Sequence, residues 1–194
     1  MKQQKYLETI YDEKSKPLTD YPKKLVNYLI KRKKLSKDQK ILEIGCGRGE
    51  FLNEFQNFGL DTYGVDLSDF CKKFFSKLKF KKVDLEKEKL PFEDNFFDVI
   101  YSKSLIEHFY FPEKIIQESY RVLKPGGIII TLTPEWEFNQ KYFYEDFTHR
   151  VPFSKTSLRD IHQMNHFKDI EVESFIQLPI IFEKKKFNLF FQFL

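Results

Sequence analysis

The sequence predicts an α/β fold in which helices cover both faces of a mostly parallel, seven-stranded sheet with an antiparallel strand at one edge. Strand and helix patterns alternate from about Tyr21 to the end of the chain, as in successive βαβ units. A glycine cluster follows the first strand, where such folds often bind a ligand. There are no repeats and no low-complexity linker, so we predict a single domain over residues 1–194. Within it, residues 1–37 are expected to form an N-terminal helical cap and residues 134–153 an insertion.

The composition fits a globular domain with a sizeable core. Hydrophobic residues make up 41% of the 194 residues, and the net charge of +4 does not indicate a nucleic-acid-binding surface. The two cysteines, Cys46 and Cys71, do not suggest a structural disulfide, and the polar start, Met1 to Asp12, does not resemble a signal peptide. No apolar stretch is long enough to span a membrane. We therefore expect a cytoplasmic protein.

Apolar spacing predicts the elements of the first half in order. Leu25, Tyr28 and Leu29 share one face of a first helix, and Glu50 to Phe58 forms a second helix that Gly59 ends. Short runs bounded by polar turns predict strands around these helices. These strands are Ile41 to Ile44, Thr62 to Asp66 and Phe80 to Asp84, with a third helix from Ser68 to Leu78.

The second half continues the alternation. The fourth strand, Asp98 to Ser102, follows an acidic turn, and the fifth, Ile128 to Leu132, follows a Pro-Gly-Gly turn. A helix from Glu113 to Leu123 connects them. The remaining predicted elements are a helix from Ser157 to Met164 and two edge strands, Asp169 to Phe175 and Gln177 to Phe182.

The glycine turn after the first strand is the most informative segment. Three of the seven glycines, Gly45, Gly47 and Gly49, lie within five positions there. Such glycines let the backbone turn tightly and let a ligand approach closely. Their spacing differs from the Gly-x-Gly-x-x-Gly pattern of nicotinamide sites. Glu43, at the end of the strand, would repel a pyrophosphate and suits a cationic ligand such as a sulfonium amino acid.

Carboxylates also end the next two predicted strands. Asp66 ends the second strand, where an acid can accept both hydroxyl protons of a ribose. Asp84 ends the third, where an acid can accept from an adenine amino group, with Leu67 and Leu85 on either side of the ring. The three strand ends together predict a pocket for a positively charged adenosyl amino acid.

Four linked motifs resemble class I S-adenosylmethionine-dependent methyltransferases of the methyltransferase-11/12 type. Besides the glycine turn and the acid of the second strand, Leu90 to Ile100 resembles the approach to the family's fourth strand. Arg121 to Gly127 resembles the entry to its fifth strand. The match covers roughly residues 38–133. It implies a Rossmann-like class I methyltransferase fold, with S-adenosylmethionine as cofactor and S-adenosylhomocysteine as product.

The same resemblance implies the cofactor contacts. The glycine turn, including Cys46, would hold the methionine part together with Glu43. Asp66 would hold the ribose and Asp84 the adenine. Ser102, just after the fourth strand, matches a position whose backbone also lines the site.

Residues 134–153, after the fifth strand, are expected to form the acceptor side. Asp146 to Ser154 resembles an Asp-x-Thr-His-x-x-Pro-[Phe/Tyr]-[Ser/Thr] signature of methyltransferases from polysaccharide and glycolipid gene clusters. This implies O-methylation of a hydroxyl on a sugar or glycoconjugate. His149 would act as general base, with Asp146 orienting it or binding the sugar. A role for His149 in capping the loop is equally open.

Four aromatic residues of the insertion have two possible uses. They are Trp136, Tyr142, Phe143 and Tyr144. They could form a wall against a sugar ring, or they could form the core of a lid, which is the more ordinary use of such residues.

Glu107 and His108 follow the fourth strand and supply further candidates. His108 is a candidate catalytic residue, although quinone-pathway methyltransferases share the same dipeptide. With His149, these residues resemble part of the divalent-metal site of small-RNA 2′-O-methyltransferases. Ser104 stands where those enzymes have another glutamate, and a site short of one carboxylate would hold Mg²⁺ poorly. The sequence therefore favours a site without metal and leaves a metal-assisted RNA 2′-O-methyltransferase as an alternative.

The acceptor and the partners are less well defined by the sequence than the cofactor. A quinone or other small-molecule O-methyltransferase and a non-catalytic module that binds S-adenosylmethionine both stay open. A small-molecule or glycan acceptor is favoured over nucleic acid. The tail from Glu183 to Leu194, basic and then aromatic, could contact an anionic membrane surface or pack as an edge element. The oligomeric state is left open.

Overall fold

The computed structural model describes residues 17–177, and its elements alternate along the chain as predicted. The strands are β1 (Lys40–Ile44), β2 (Asp61–Asp66), β3 (Lys79–Lys82), β4 (Phe97–Lys103) and β5 (Leu123–Leu132). The α-helices are α1 (Tyr21–Lys33), α2 (Glu50–Phe58), α3 (Cys71–Phe74), α4 (Pro112–Val122), α5 (Trp136–Asn139) and α6 (Lys155–Met164). Short 3-10 turns lie at Ile106–His108 and Phe143–Glu145.

The five strands are all parallel and follow the order β3-β2-β1-β4-β5. β1 is central, since Ile41 lies beside Thr62 of β2 on one side and Val99 of β4 on the other. The strand order therefore reverses between β1 and β4. In α/β folds of this kind, the crevice outside the carboxyl ends of the strands at such a reversal binds the ligand.

Buried side chains alternate between the two faces of the sheet. Ile41 and Val99 contact the cluster formed with α1 and α2, whereas Leu42 and Ile100 contact the cluster formed with α4. Fully burying an aliphatic side chain of this size stabilises the fold by about 2 kcal/mol. Helices thus cover both faces of the sheet, as predicted.

The predicted strand from Asp169 to Phe175 is wrong, since these residues form no strand. They pack along α1 instead. Arg32 of α1 donates to Glu173 at 2.8 Å, and the ring of Phe175 stacks on Tyr28 with 5.3 Å between centroids. The polar and apolar alternation in this segment therefore reflects ion pairs and ring contacts with a helix, not strand pairing.

The seven-stranded sheet and its antiparallel edge strand are consequently not found in residues 17–177. Of the second predicted edge strand, Gln177 to Phe182, only Gln177 is described, and it accepts a hydrogen bond from the Tyr21 hydroxyl at 2.7 Å. The rest of that strand lies outside the described residues, as do residues 1–16 of the predicted cap and the tail from Glu183 to Leu194.

The third helix and third strand are shorter than predicted. α3 has four residues, where the sequence predicted a helix from Ser68 to Leu78. The Ser68 hydroxyl accepts from the N–H of Phe70 at 3.1 Å, so it stabilises a turn before the helix. β3 ends at Lys82, and Asp84 lies in the turn that follows.

The insertion at residues 134–153 folds back onto the loop that follows β4. The N–H groups of Arg150 and Val151 donate to the carbonyl of Glu107 at 2.7 and 3.1 Å. The N–H of Trp136 donates to the carbonyl of Phe153 at 2.9 Å, which closes the base of the segment. These hydrogen bonds hold the insertion beside the carboxyl end of β4.

The helices within residues 17–177 are short or amphipathic. None of them combines the length and the apolar character that crossing a membrane requires.

Candidate active site

The glycine turn joins β1 to α2 where the sequence predicted it. Gly45, Gly47 and Gly49 have φ angles of +75°, +51° and +80°. A Cβ on Gly45 would lie 2.6 Å from Cδ1 of Leu105, so the loop after β4 packs directly on the turn. The N–H of Gly45 donates to the carbonyl of Val65 at 2.8 Å. The turn thus joins the ends of β1 and β2 to the loop after β4.

Glu43 is buried at the end of β1, with 3% of the residue exposed. Its Oε2 has no hydrogen-bond partner among the described residues. Burial raises the pKa of Glu43 well above its ordinary value, and the N–H of Leu52 at the start of α2 opposes the rise. A buried, incompletely paired carboxylate favours a bound cation, which agrees with the predicted cationic ligand.

Asp66 ends β2, as predicted, and both of its oxygens accept hydrogen bonds. The N–H of Gly47 donates to Oδ2 at 2.9 Å, and the N–H of Ser68 donates to Oδ1 at 3.0 Å. Burial raises the pKa of Asp66, while these N–H groups lower it. Each carboxylate oxygen can accept a further hydrogen bond, so capacity remains for ribose hydroxyls.

The remaining predicted cofactor residues lie at or shortly after the ends of β2, β3 and β4. The carboxylate of Asp84 accepts from Nζ of Lys87 at 2.6 Å, so it is already paired at the rim. Leu67 and Leu85 are half-buried, as suits residues that would contact an adenine ring. Ser102 is buried near the end of β4. The contacts of these residues with the cofactor stay predictions.

The glycine turn also contains two buried side chains. Cys46 is a free thiol hydrogen bonded to Cys71, which is also free. Arg48 is 7% exposed, and its Nε donates to Oε2 of Glu50 at 2.8 Å. The sequence interpretation assigned no role to Arg48, although its position between two glycines was a signal. Its ion pair ties the turn to the first residue of α2.

Lys103, at the end of β4, is a half-buried charge that sequence reasoning missed. Burial lowers the pKa of its ammonium group, and the carboxylates of Glu107 and Glu43 raise it. Its Nζ lies 5.7 Å from the ring centroid of Phe51. Lys103 thus couples the acid of the cofactor side to the acid of the predicted acceptor side. A lysine at the end of an apolar strand was the available signal.

Glu107 lies in the 3-10 turn after β4 and is fully buried. The Thr133 hydroxyl donates to its Oε2 at 3.0 Å, whereas Oε1 has no partner among residues 17–177. Burial raises the pKa of Glu107 to about 7, although Thr133 and Lys103 lower it. A carboxyl group perturbed in this way marks a candidate functional site.

The rings of His108 and His149 are in contact, with 4.7 Å between centroids. Nδ1 of His149 lies 2.6 Å from the carbonyl oxygen of Phe143, and Nδ1 of His108 lies 2.8 Å from the Thr148 hydroxyl. That hydroxyl donates to Oδ1 of Asp146 at 2.6 Å. Asp146 therefore acts on His108 through Thr148, a connection that the sequence did not indicate. Burial, followed by the charge of His149, lowers the pKa of His108.

The aromatic residues of the insertion differ in how far they are buried. Phe143 is 2% exposed and packs against Trp136, with 5.7 Å between ring centroids. Tyr142 and Tyr144 are instead 63% and 59% exposed. The insertion therefore has an aromatic core and also presents aromatic rings at its surface.

The fold and site together define a class I S-adenosylmethionine-dependent methyltransferase. Residues 42–131 match the family model described as a methyltransferase domain. An uncharacterized protein of Methanocaldococcus jannaschii is 30% identical over 160 residues, which are 81% of this chain and 68% of that protein. The chain belongs to the S-adenosylmethionine-dependent methyltransferase family, and S-adenosylmethionine is its cofactor.

Two further comparisons agree with this assignment. The crystal structure of a SAM-dependent methyltransferase from Archaeoglobus fulgidus superposes with a TM-score of 0.69 at 25% identity, covering 79% of this chain and 73% of that one. Sterol 4-C-methyltransferase strm-1 of Caenorhabditis elegans is 29% identical over 139 residues, which are 66% of this chain. This chain spans only 42% of the sterol enzyme's length.

Proposed function

We propose that the protein methylates a hydroxyl group of a sugar or glycoconjugate, with His149 as the general base. The observation that carries the proposal is the 2.6 Å hydrogen bond between Nδ1 of His149 and the carbonyl oxygen of Phe143. Because a carbonyl oxygen only accepts, Nδ1 holds the proton, and Nε2 of the neutral ring keeps a lone pair. The methyl group passes from the sulfonium to the acceptor oxygen, and Nε2 takes the hydroxyl proton as the bond forms.

The position of the insertion supports this role. The insertion that carries His149 is hydrogen bonded to the carbonyl of Glu107 in the loop after β4. Leu105 of the same loop contacts Gly45 in the cofactor turn. This continuous set of contacts keeps the acceptor side against the donor side. Alignment of two reactants in this way can supply a large part of the rate enhancement.

The surface of the insertion supports a sugar as the acceptor. Tyr142, Tyr144 and Phe147 are exposed, with Phe147 the most exposed at 75%. A tyrosine ring combines an apolar face with a polar hydroxyl. That combination matches a sugar ring, which has C–H faces and hydroxyl edges. Asp146 and Arg150 lie on the same segment and offer groups that bind hydroxyls.

The variant His149→Gln is expected to keep S-adenosylmethionine binding and to lose methyl transfer by about 10²- to 10⁴-fold. Glutamine retains an N–H that can donate to Phe143 but has no basic lone pair. The measurement is transfer of labelled methyl from the cofactor to a panel of glycans, with cofactor affinity measured by calorimetry.

His166→Gln is the matched control, because His166 is exposed and lies beyond the end of α6. This variant is expected to turn over normally. Full activity of His149→Gln would overturn the base assignment. Methyl transfer to RNA or to a quinol but to no glycan would overturn the acceptor class.

A further inference from the structure

Glu107, His108 and His149 form a cluster with the geometry of a metal site. One ligand atom from each side chain, a carboxylate oxygen or a ring nitrogen, lies within 4.8 Å of those from the other two. We propose that these three side chains bind one divalent transition-metal ion, with zinc the best match to the ligand set. The inference goes beyond the proposed function because it requires no methyl acceptor.

Both imidazoles are held in the tautomer that a metal requires. The Thr148 hydroxyl donates its single proton to Asp146, so it accepts a hydrogen bond from Nδ1–H of His108. The carbonyl of Phe143 fixes the same tautomer in His149. Nε2 is therefore the lone-pair nitrogen in each ring. Metal-binding histidines almost always donate their other N–H to a carbonyl or to a polar side chain in this way.

The carboxylate of Glu107 completes the ligand set. It is fully buried, and its Oε1 has no hydrogen-bond partner among the described residues. The Thr133 hydroxyl holds the other oxygen at 3.0 Å. A buried carboxylate is costly unless it is paired or coordinates a metal, and one oxygen of Glu107 is left to do so.

The two segments that carry the ligands are already tied together. The N–H of Arg150, next to His149, donates to the carbonyl of Glu107 at 2.7 Å. Backbone hydrogen bonds thus bring the candidate metal ligands of both segments together before any ion binds. Little ordering of the chain is then needed on binding, which favours affinity.

The ligand types select the ion. Mg²⁺ and Ca²⁺ prefer oxygen ligands and suit two imidazoles poorly. Zinc takes two histidines and a carboxylate in catalytic sites and keeps a fourth position open. Ferrous iron also takes this set, but zinc binds such ligands more tightly in the Irving–Williams order. The free thiols, Cys46 and Cys71, belong to a different core cluster and are not part of the site.

Zinc titration of the EDTA-treated full-length protein, followed by competition with a chromophoric chelator, is expected to show one zinc per chain. Glu107→Gln and His108→Gln each remove a ligand and are expected to weaken binding by on the order of 100-fold. Thr148→Val removes only the partner of the His108 N–H, and about a tenfold loss is expected. His166→Gln is the control and should bind zinc as the parent does.

Two readouts keep the test independent of folding and of turnover. Each variant must bind S-adenosylmethionine normally, which shows that it is folded. Cobalt in place of zinc should give no thiolate charge-transfer band, because only nitrogen and oxygen ligands are proposed. Failure to take up zinc, or uptake by all three variants equal to that of the parent, would overturn the site. Nε2 of His149 cannot hold a metal ion and take a proton at the same time, so bound zinc would block the proposed base role. The turnover test of His149→Gln is therefore run on EDTA-treated protein, where neither zinc result bears on it.

Discussion

Three ionisable side chains lie at neighbouring strand ends: Glu43, Asp66 and Lys103. Burial shifts the pKa of each in the direction that favours its neutral form. For the two acids the shift is upward, and for the lysine it is downward. A bound cation reverses this balance for the acids, because it favours their ionised forms. If these side chains line the cofactor site as predicted, they would be sensitive to the charge of the cofactor as well as to its shape.

Glu43→Gln is expected to weaken S-adenosylmethionine binding and to stabilise the protein without cofactor at neutral pH. A raised carboxyl pKa means that stability is complete below the unfolded pKa and is lost as pH rises toward the folded value. The cationic cofactor favours the ionised carboxylate, so its affinity should have the opposite pH dependence and should increase with pH over the same range. Calorimetry and thermal melts across pH measure both effects.

Glu93→Gln is the matched control for this prediction, because Glu93 is exposed and lies in the turn before β4. It should change neither the affinity nor its pH profile. Asp66, Cys71 and Lys103 also act on Glu43, so the profile belongs to the group of charges. An unchanged pH profile in Glu43→Gln would remove Glu43 from the cofactor site.

How far a residue's role can be predicted depends on where its partners lie. The positions of Glu43 and Asp66 at strand ends could be predicted because each lies next to a recognisable glycine turn, while their contacts with the cofactor stay predictions. Thr148 could not, since its partner His108 is 40 residues away and the two meet only through the fold of the insertion. The same holds for Lys103, whose environment is set by acids on separate elements.

The glycine turn is the element on which the predicted cofactor site depends. Gly45 combines a left-handed φ with contact to Leu105, while Gly126 has φ +78° and nothing within 4 Å of its Cβ position. Alanine at Gly126 would therefore introduce backbone strain alone, whereas alanine at Gly45 would introduce strain and a steric clash. Both substitutions by alanine should cost about 1–2 kcal/mol of stability through strain alone.

Gly45→Ala is expected to weaken S-adenosylmethionine binding by about tenfold or more, which corresponds to about 1.4 kcal/mol or more. The added Cβ would displace the Leu105 side chain, because three of its atoms lie within 3.2 Å of the position. Gly126→Ala should lose stability but keep its affinity. Equal affinities in the two variants would show that the contact with Leu105 does not shape the site. Thermal melts and calorimetry give the two quantities.

The elements also show where a local pattern is insufficient. Five strands and the glycine turn were predicted because apolar runs and turn residues mark them locally. The edge strand was predicted from alternation alone, and alternation does not reveal that Arg32 and Lys33 of α1 would pair with Glu171 and Glu173. The acidic side chains of this segment form ion pairs with a helix, and the segment does not pair with a strand.

Across the whole molecule, the order of the strands brings the predicted donor and acceptor sides to one edge of the sheet. β1 and β2 supply the acids and the turn of the predicted cofactor site, and the loop after β4 links that turn to the insertion. The family model matches residues 42–131, which end just before the insertion begins. The methyl donor therefore follows from the family, whereas the predicted acceptor side lies on a segment outside the residues that the family model matches.

The most direct test of the account is calorimetric titration of the full-length protein with S-adenosylmethionine and, separately, with NAD⁺. The acids at the strand ends and the Gly-x-Gly-x-Gly turn predict one bound S-adenosylmethionine per chain and no uptake of the dinucleotide. Uptake of NAD⁺ together with no heat from S-adenosylmethionine would contradict the account.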